Sequence, residues 1–147
     1  MKLDEILEMW KTDCVIPQGK YDDVSRDTPA LHAKYLELLS IAKLEVRVAE
    51  MKQKNLLKDK WLYYNGKMSQ DEIENLGWDF DPFNGLKVLK GEMNYYYDSD
   101  IDIQKSEQLV QYKKVMVETL TDIVDSLKWR HQTISNIIKW KVFEAGG

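Results

Sequence analysis

"ALHAKYLELLSIAKLEVRVAEMKQKNLLKDKWLYY" occupies residues 30–64, and it contains neither glycine nor proline. Thr28 and Pro29 precede it, and Asn65 and Gly66 follow it. A threonine followed by proline is typical of a helix start, and an asparagine followed by glycine is typical of a helix end. The stretch therefore predicts one long α-helix.

Two apolar seams run along this predicted helix, on roughly opposite sides. One consists of Tyr35, Leu39, Ala42, Val46 and Ala49, and the other of Ile41, Leu44, Val48 and Met51. A helix on the surface of a monomer needs only one buried stripe. The two seams predict an intramolecular partner on one side and, on the other, a second subunit or a deeper core. The second seam turns polar at Asn55 and Lys58, which favours an exposed helix end.

The rest of the chain is also predicted to be mostly helical. Leu3, Ile6, Leu7 and Trp10 have helical spacing, and residues 15–29 are predicted to be a loop because they hold two prolines and a glycine. Ser69 and Glu72 are spaced as a capping box for a short helix. "LKVLKGEMNYYY", residues 86–97, predicts a small β-hairpin.

A last long helix is predicted from about Ile103 to Phe143, starting behind Asp100 or Asp102. One apolar seam follows it, interrupted by Arg130, and its members are Leu109, Tyr112, Met116, Leu120, Ile123, Leu127, Ile134 and Ile137. A helix of this length needs the first long helix or copies of itself beside it. The predicted fold is therefore mainly α: two long helices, a short N-terminal helix and a small β-hairpin insert, assembled as an oligomer through the C-terminal helix.

Catalytic and metal-binding motifs are absent from the sequence. "DSDID", residues 98–102, resembles the start of a calcium loop, but Ile103 and Leu109 occupy positions that need glycine and glutamate. Cys14 is the single cysteine, so no internal disulfide can form. We expect a binding or assembly protein rather than an enzyme, with no cofactor and no metal.

The net charge is −4, yet residues 43–67 hold seven basic residues against three acidic ones. Lysines that track phosphates and rings that stack on bases are the means by which single-stranded nucleic acid is bound. "LLKDKWLYYNGK", residues 56–67, offers both. Aromatic residues at helical spacing are, however, more often core residues, and lysines beside them often cover that core with their stems. From the residues alone, this structural interpretation is the favoured one.

"LKDKWLYYNGK", residues 57–67, resembles a segment of the UvsY recombination mediator family of T-even-like phages. The matching residues are Leu57, Lys58, Lys60, Tyr63, Tyr64, Gly66 and Lys67. "VFEAGG", residues 142–147, resembles the ending of that family, and the likeness extends over the whole chain. Lys60 stands where arginine is common in the family, and lysine keeps the charge without the planar fork. Trp61 departs from the family pattern, and it either adds stacking or packs against the hairpin.

The resemblance implies a protein of phage recombination, repair and DNA replication that acts in the cytoplasm of the infected bacterial host. Its partners would be single-stranded DNA, a RecA-like phage recombinase, whose loading it promotes, and the phage single-stranded-DNA-binding protein, whose complex with DNA it destabilises. It would be a homo-oligomer, a ring of about six or seven subunits, with no membrane partner.

The resemblance also implies that the two basic residues Lys58 and Lys60 bind DNA and that the C-terminal helix carries self-assembly. We therefore expect DNA binding in residues 1–98 and oligomerisation through the helix in residues 99–147. The predicted DNA-binding residues are Arg47, Lys54, Lys58, Lys60, Trp61, Tyr63, Tyr64 and Lys67. The predicted oligomerisation residues are Leu120, Ile123, Leu127, Ile134, Ile137 and Phe143. The alternative is a non-enzymatic coiled-coil protein, structural or for assembly, of a phage, with no role in DNA binding.

Overall fold

The structure, a computed structural model, describes residues 1–147 and is helical along most of the chain. Its helices are α1 (Leu3–Asp13), α2 (Tyr21–Tyr64), α3 (Gln70–Leu76), α4 (Met93–Ser99), α5 (Ile101–Lys128) and α6 (Arg130–Glu144), with a 3-10 turn at Lys90–Glu92. The mainly helical fold with a short N-terminal helix and long helices is confirmed.

The long helix α2 begins at Tyr21, so the predicted start at residue 30 is wrong. Pro29 lies inside the helix, where it removes one backbone hydrogen bond. Two contacts stabilise the preceding turns. Asp22 forms an ion pair with Arg26 at 2.8 Å, and the Thr28 hydroxyl donates to the carbonyl of Val24. Only the first part of the predicted 15–29 loop remains non-helical.

The chain forms two compact units, residues 1–44 with 114–147 and residues 45–113. The core of the first unit contains the first predicted seam of α2, through Tyr35, Leu39 and Ala42. Residues from α1 and α5 complete this core, and they are Ile6, Met116, Leu120, Ile123, Val124 and Leu127. The predicted functional division at residue 98 stays a prediction; the two compact units follow a different boundary.

The second unit is built around an aromatic cluster. Tyr63 and Tyr64 at the end of α2 pack with Ile73 of α3. The partly buried residues around them are Met68, Trp78, Phe83, Met93, Tyr96 and Tyr97. The helix α3 starts at Ser69, whose hydroxyl accepts the backbone N–H of Glu72, as the capping box predicts.

The predicted β-hairpin in residues 86–97 is wrong, since this segment holds the 3-10 turn and most of α4. The Glu92 carboxylate accepts the backbone N–H of Leu89 and starts the turn. Met93, Tyr96 and Tyr97 are spaced three and four residues apart, so one face of α4 covers the aromatic cluster. Burial of those rings favours helix over the weak alternation of the sequence.

The predicted last helix is two helices, α5 and α6, separated at Trp129. Trp129 leaves the helical conformation, with φ −96° and ψ 0°. The guanidinium of the next residue, Arg130, donates to the carbonyls of Asp13 at 2.9 Å and Val15 at 3.3 Å. Arg130 thus turns inward to satisfy the chain end of α1, which explains why it interrupts the apolar seam.

Candidate nucleic-acid interface

Four of the predicted DNA-binding residues lie on one face of α2. Arg47, Lys54, Lys58 and Trp61 follow each other at spacings of seven, four and three residues, which places them along a single helix face. All four are exposed, and 47% of the Trp61 surface is accessible. At 1.5 Å per residue, this row is about 21 Å long.

Lys67 extends the row beyond the end of α2. Gly66 adopts φ 67°, and the backbone N–H of Lys67 donates to the carbonyl of Leu62 at 2.8 Å, so the chain reverses there. The reversal places the Lys67 ammonium 4.5 Å from the centre of the Trp61 ring. We refer to Arg47, Lys54, Lys58, Trp61 and Lys67 as the exposed strip.

Lys60 lies on the other side of the helix. Two residues along α2 correspond to a rotation of about 200°, so Lys60 points away from Lys58. Only 3% of its surface is exposed. Its ammonium lies 3.0 Å from carboxylate oxygens of both Asp100 and Asp102, and 3.8 Å from the centre of the Trp78 ring. The ammonium is therefore enclosed by two anions and an aromatic face.

Tyr63 and Tyr64 are also buried, and their hydroxyl groups bind within the second unit. The Tyr63 hydroxyl donates to the carbonyl of Asp79, and the Tyr64 hydroxyl donates to the Asp100 carboxylate at 2.6 Å. The Tyr64 ring packs edge-on against Tyr97, with 5.3 Å between the ring centres. Both tyrosines thus hold the end of α2 in the aromatic cluster.

The Asp100 carboxylate is the centre of these contacts. Burial raises its pKa, but hydrogen bonds from Tyr64, from the backbone N–H of Ile103 and from Lys60 outweigh burial and hold the pKa below 3.8. The pKa of the Tyr64 hydroxyl is raised by burial and by its bond to this anion. Asp100 is therefore ionised at neutral pH and anchors the first turn of α5.

The two sides of α2 differ in what they can bind. The exposed strip offers four cations to phosphates and one accessible ring to a base. A cavity of about 430 Å³ lies on the opposite side, lined by Lys60, Trp78, Asp79, Asp100 and Asp102 among others. Carboxylates outnumber ammonium groups there, so the cavity repels phosphate. The geometry favours the exposed strip as the surface for an anionic strand.

Comparison with known proteins identifies the family of this chain. A family model described as "Recombination, repair and ssDNA binding protein UvsY" matches residues 9–147 of the chain. The chain belongs to the UvsY family. The predicted resemblance is thereby confirmed, and the protein is a member of a phage family of recombination, repair and single-stranded-DNA-binding proteins.

One relative in the UvsY family is the "Recombination protein uvsY" of Enterobacteria phage T4. It is 27% identical over 146 residues, which cover 99% of both chains. A crystal structure of the bacteriophage T4 recombination mediator protein UvsY is similar to this chain with a TM-score of 0.79 and 27% identity, covering 99% of this chain and 98% of that one. In another crystal lattice the T4 protein gives a TM-score of 0.77 with 26% identity, covering 95% and 98%.

The structure separates the eight predicted DNA-binding residues into two groups. The exposed strip holds five of the eight, and Lys60, Tyr63 and Tyr64 are buried behind it. DNA contact by these three stays a prediction, and it would require their release from their present partners. Sequence reasoning missed Trp78 and Asp100 as partners of Lys60. The acidic "DSDID" segment was a signal for Asp100, but it does not indicate which cation the carboxylate pairs with; no local pattern indicated Trp78.

The predicted oligomerisation residues divide in a similar way. Leu120, Ile123 and Leu127 are in the core of the first unit, and Ile134 is buried too. Phe143 is 70% exposed. The other exposed large apolar residues from Trp129 to the C-terminus are Trp129, Ile138, Trp140 and Val142. Subunit contact through the predicted set stays a prediction. The second predicted seam of α2 is exposed as well, through Ile41, Leu44, Val48 and Met51.

Neither a metal site nor a membrane-spanning helix is present in the structure. No group of three or more histidine, cysteine, aspartate or glutamate side chains has an arrangement that could hold a metal ion. None of the helices combines the length and the apolar character needed to cross a bilayer.

Proposed function

We propose that the protein is a recombination mediator that binds single-stranded DNA along the exposed strip. It destabilises the complex of the phage single-stranded-DNA-binding protein with that DNA and promotes loading of a RecA-like recombinase, without being an enzyme. The observation that carries the proposal is the row of Arg47, Lys54, Lys58 and Lys67 beside the accessible ring of Trp61. Membership of the UvsY family supports it.

Electrostatics determine how such a strip would bind. One protomer offers only four cations, so its affinity for a strand is weak and falls steeply with salt. Copies of the strip in a ring of about six or seven subunits would act together and raise the overall affinity. Because each contact is weak, the strand can be released from one protomer at a time. Stepwise release suits transfer of DNA to a recombinase in the cytoplasm of the infected host.

Assembly is proposed to use the C-terminal region. Apolar side chains that stay exposed in a single chain favour association. In α6 the exposed apolar side chains are those of Ile138, Trp140, Val142 and Phe143. Trp140 and Phe143 contact each other edge-on, with 5.8 Å between ring centres, and form one continuous aromatic surface. A second subunit that covered these rings would remove apolar area from water.

The test compares two lysines of α2 that differ only in the face they occupy. Lys58 is in the exposed strip, and Lys52 is exposed about 120° away around the helix. Affinity for labelled oligothymidine is measured by fluorescence anisotropy over a range of salt. Lys58→Ala is expected to lower the affinity and to make the dependence of log affinity on log salt less steep, by roughly 0.7 for each phosphate that is no longer neutralised.

Lys52→Ala is the matched control, because it removes the same charge from the same helix. We expect its slope and affinity to stay near those of the original protein. Equal slopes for Lys58→Ala and the original protein would remove the exposed strip from the proposal. An intact oligomer that binds no single strands at physiological salt would favour the coiled-coil assembly protein instead.

A further inference from the structure

We propose that Lys60 is a positioning residue: it holds the end of α2 in the orientation that presents the exposed strip, and it does not itself contact DNA. The inference deepens the proposed single-strand binding and rests on it. It assigns different roles to Lys58 and Lys60, which are two residues apart in sequence and have the same charge. Those roles can be separated by experiment.

The contacts of the Lys60 ammonium leave it no capacity for a phosphate. An ammonium has three N–H donors. Asp100 and Asp102 each lie 3.0 Å from the Lys60 nitrogen, and the Trp78 ring faces it at 3.8 Å. The Lys60 and Asp100 side chains are 4% and 5% exposed. Turning Lys60 outward would leave Asp100 buried with no cation beside it, which is strongly unfavourable.

The same contacts join separate segments of the second unit. Lys60 is on the last turns of α2, next to Trp61. Trp78 lies just after α3, and Asp100 lies between α4 and α5. The Tyr64 hydroxyl, one turn beyond Lys60, also binds Asp100. One ammonium and one carboxylate thus hold the end of α2 to two other segments of its unit.

The charge around Lys60 also opposes direct binding. Asp100 and Asp102 carry two negative charges against the single positive charge of Lys60, so this side of α2 has an excess of negative charge. The exposed strip on the other side carries four cations. A phosphate is therefore attracted to one side of the helix and repelled from the other.

The experiment compares Lys58→Met, Lys60→Met and Lys60→Arg in the full chain, using oligothymidine affinity over a range of salt. Lys58→Met is expected to make the salt slope less steep. Lys60→Met is expected to weaken binding several-fold by the same factor at every salt concentration, with an unchanged slope, because the strip still neutralises the same number of phosphates. Lys60→Arg keeps the charge between the two carboxylates and is expected to restore the affinity.

If Lys60→Met does not fold, the double variant Lys60→Met/Asp100→Asn replaces it in the experiment. The double variant removes the ammonium and its buried counter-charge together. This pair keeps the net charge at −4. Its slope is expected to equal that of the original protein. The inference would be overturned if the salt slope of Lys60→Met, or of the double variant, became less steep by as much as that of Lys58→Met. It would also be overturned if Lys60→Met folded and bound with unchanged affinity. An unchanged slope in Lys58→Met would instead overturn the proposed strip.

Discussion

The two units of the molecule each contain a tyrosine, an aspartate and a lysine in one network, but only one of these networks is buried. In the first unit, the Asp13 carboxylate accepts a 2.8 Å hydrogen bond from the Tyr35 hydroxyl and a 2.8 Å ion pair from Lys34. The Lys34 and Asp13 side chains are 43% and 22% exposed. Water therefore reaches both charges.

In the second unit, the Asp100 carboxylate accepts from the Tyr64 hydroxyl at 2.6 Å and from Lys60 at 3.0 Å. Water is almost excluded from both charges there. An exposed ion pair contributes little to stability, whereas a buried one is strongly destabilising to break. The same three residue types thus contribute little to stability in the first unit and much more in the second.

The largest difference between the networks is expected when the carboxylate is removed. Asp100→Ala leaves Lys60 buried with only Asp102 beside it, so the free energy of unfolding should fall by about 3 kcal/mol. Asp13→Ala is the matched control, with an expected loss of about 1 kcal/mol from the unpaired Tyr35 hydroxyl. Urea unfolding at a fixed protomer concentration measures both. Equal losses would show that burial does not distinguish the two networks.

Local patterns in the sequence predicted most of the helical framework. The seam of Tyr35, Leu39 and Ala42 was predicted as a buried face, and these residues are in the core of the first unit. Pro29 was misleading, since proline is common at helix starts but is tolerated here inside α2. At the break after Trp129, Arg130 reaches the carbonyl of Asp13, which is far away in sequence, and no local pattern predicts such a contact.

The candidate site was predictable only in part, for a related reason. Proximity in sequence grouped Lys58 with Lys60, although the rotation of the helix separates them. Helical spacing alone distinguishes the two faces but does not show which one is buried. That depends on Asp100 and on Trp78, which are 40 and 18 residues from Lys60 in the chain. Such tertiary partners are not encoded in the local pattern.

A smaller effect is expected from acid. Burial raises the pKa of Asp13, but hydrogen bonds from Lys34 and Tyr35 outweigh it, so the pKa of Asp13, like that of Asp100, lies below 3.8 in the folded protein. A lowered folded-state pKa gives stability that is complete above about pH 5 and is lost as the pH falls through that folded-state value. The free energy of unfolding should therefore decrease as the pH falls below about 5.

Asparagine variants assign that acid loss to each network. Asp13→Asn and Asp100→Asn cannot be protonated, so each should lose less stability than the original protein between about pH 5 and pH 3. Each asparagine variant should be destabilised less than the corresponding alanine variant, because asparagine, like a protonated carboxyl, keeps an acceptor oxygen. Urea unfolding at several pH values provides the measurement. An acid loss identical to that of the original protein would exclude the corresponding carboxylate as a source.

The smallest effect is expected for the exposed lysine. Lys34→Met keeps most of the aliphatic stem and removes only a charge that is 43% exposed, so the free energy of unfolding should fall by about 0.2–1 kcal/mol. Lys60→Met is the matched change in the buried network, and it should cost several times more because it leaves Asp100 unpaired. Added salt should reduce the Lys34 effect, since exposed charges are screened, and should leave the Lys60 effect nearly unchanged. Lys34→Met could instead lower the free energy of unfolding as much as Lys60→Met does, with no dependence on salt. In that case the presence of a partner carboxylate, and not the exposure of the pair to water, would determine the contribution of each lysine.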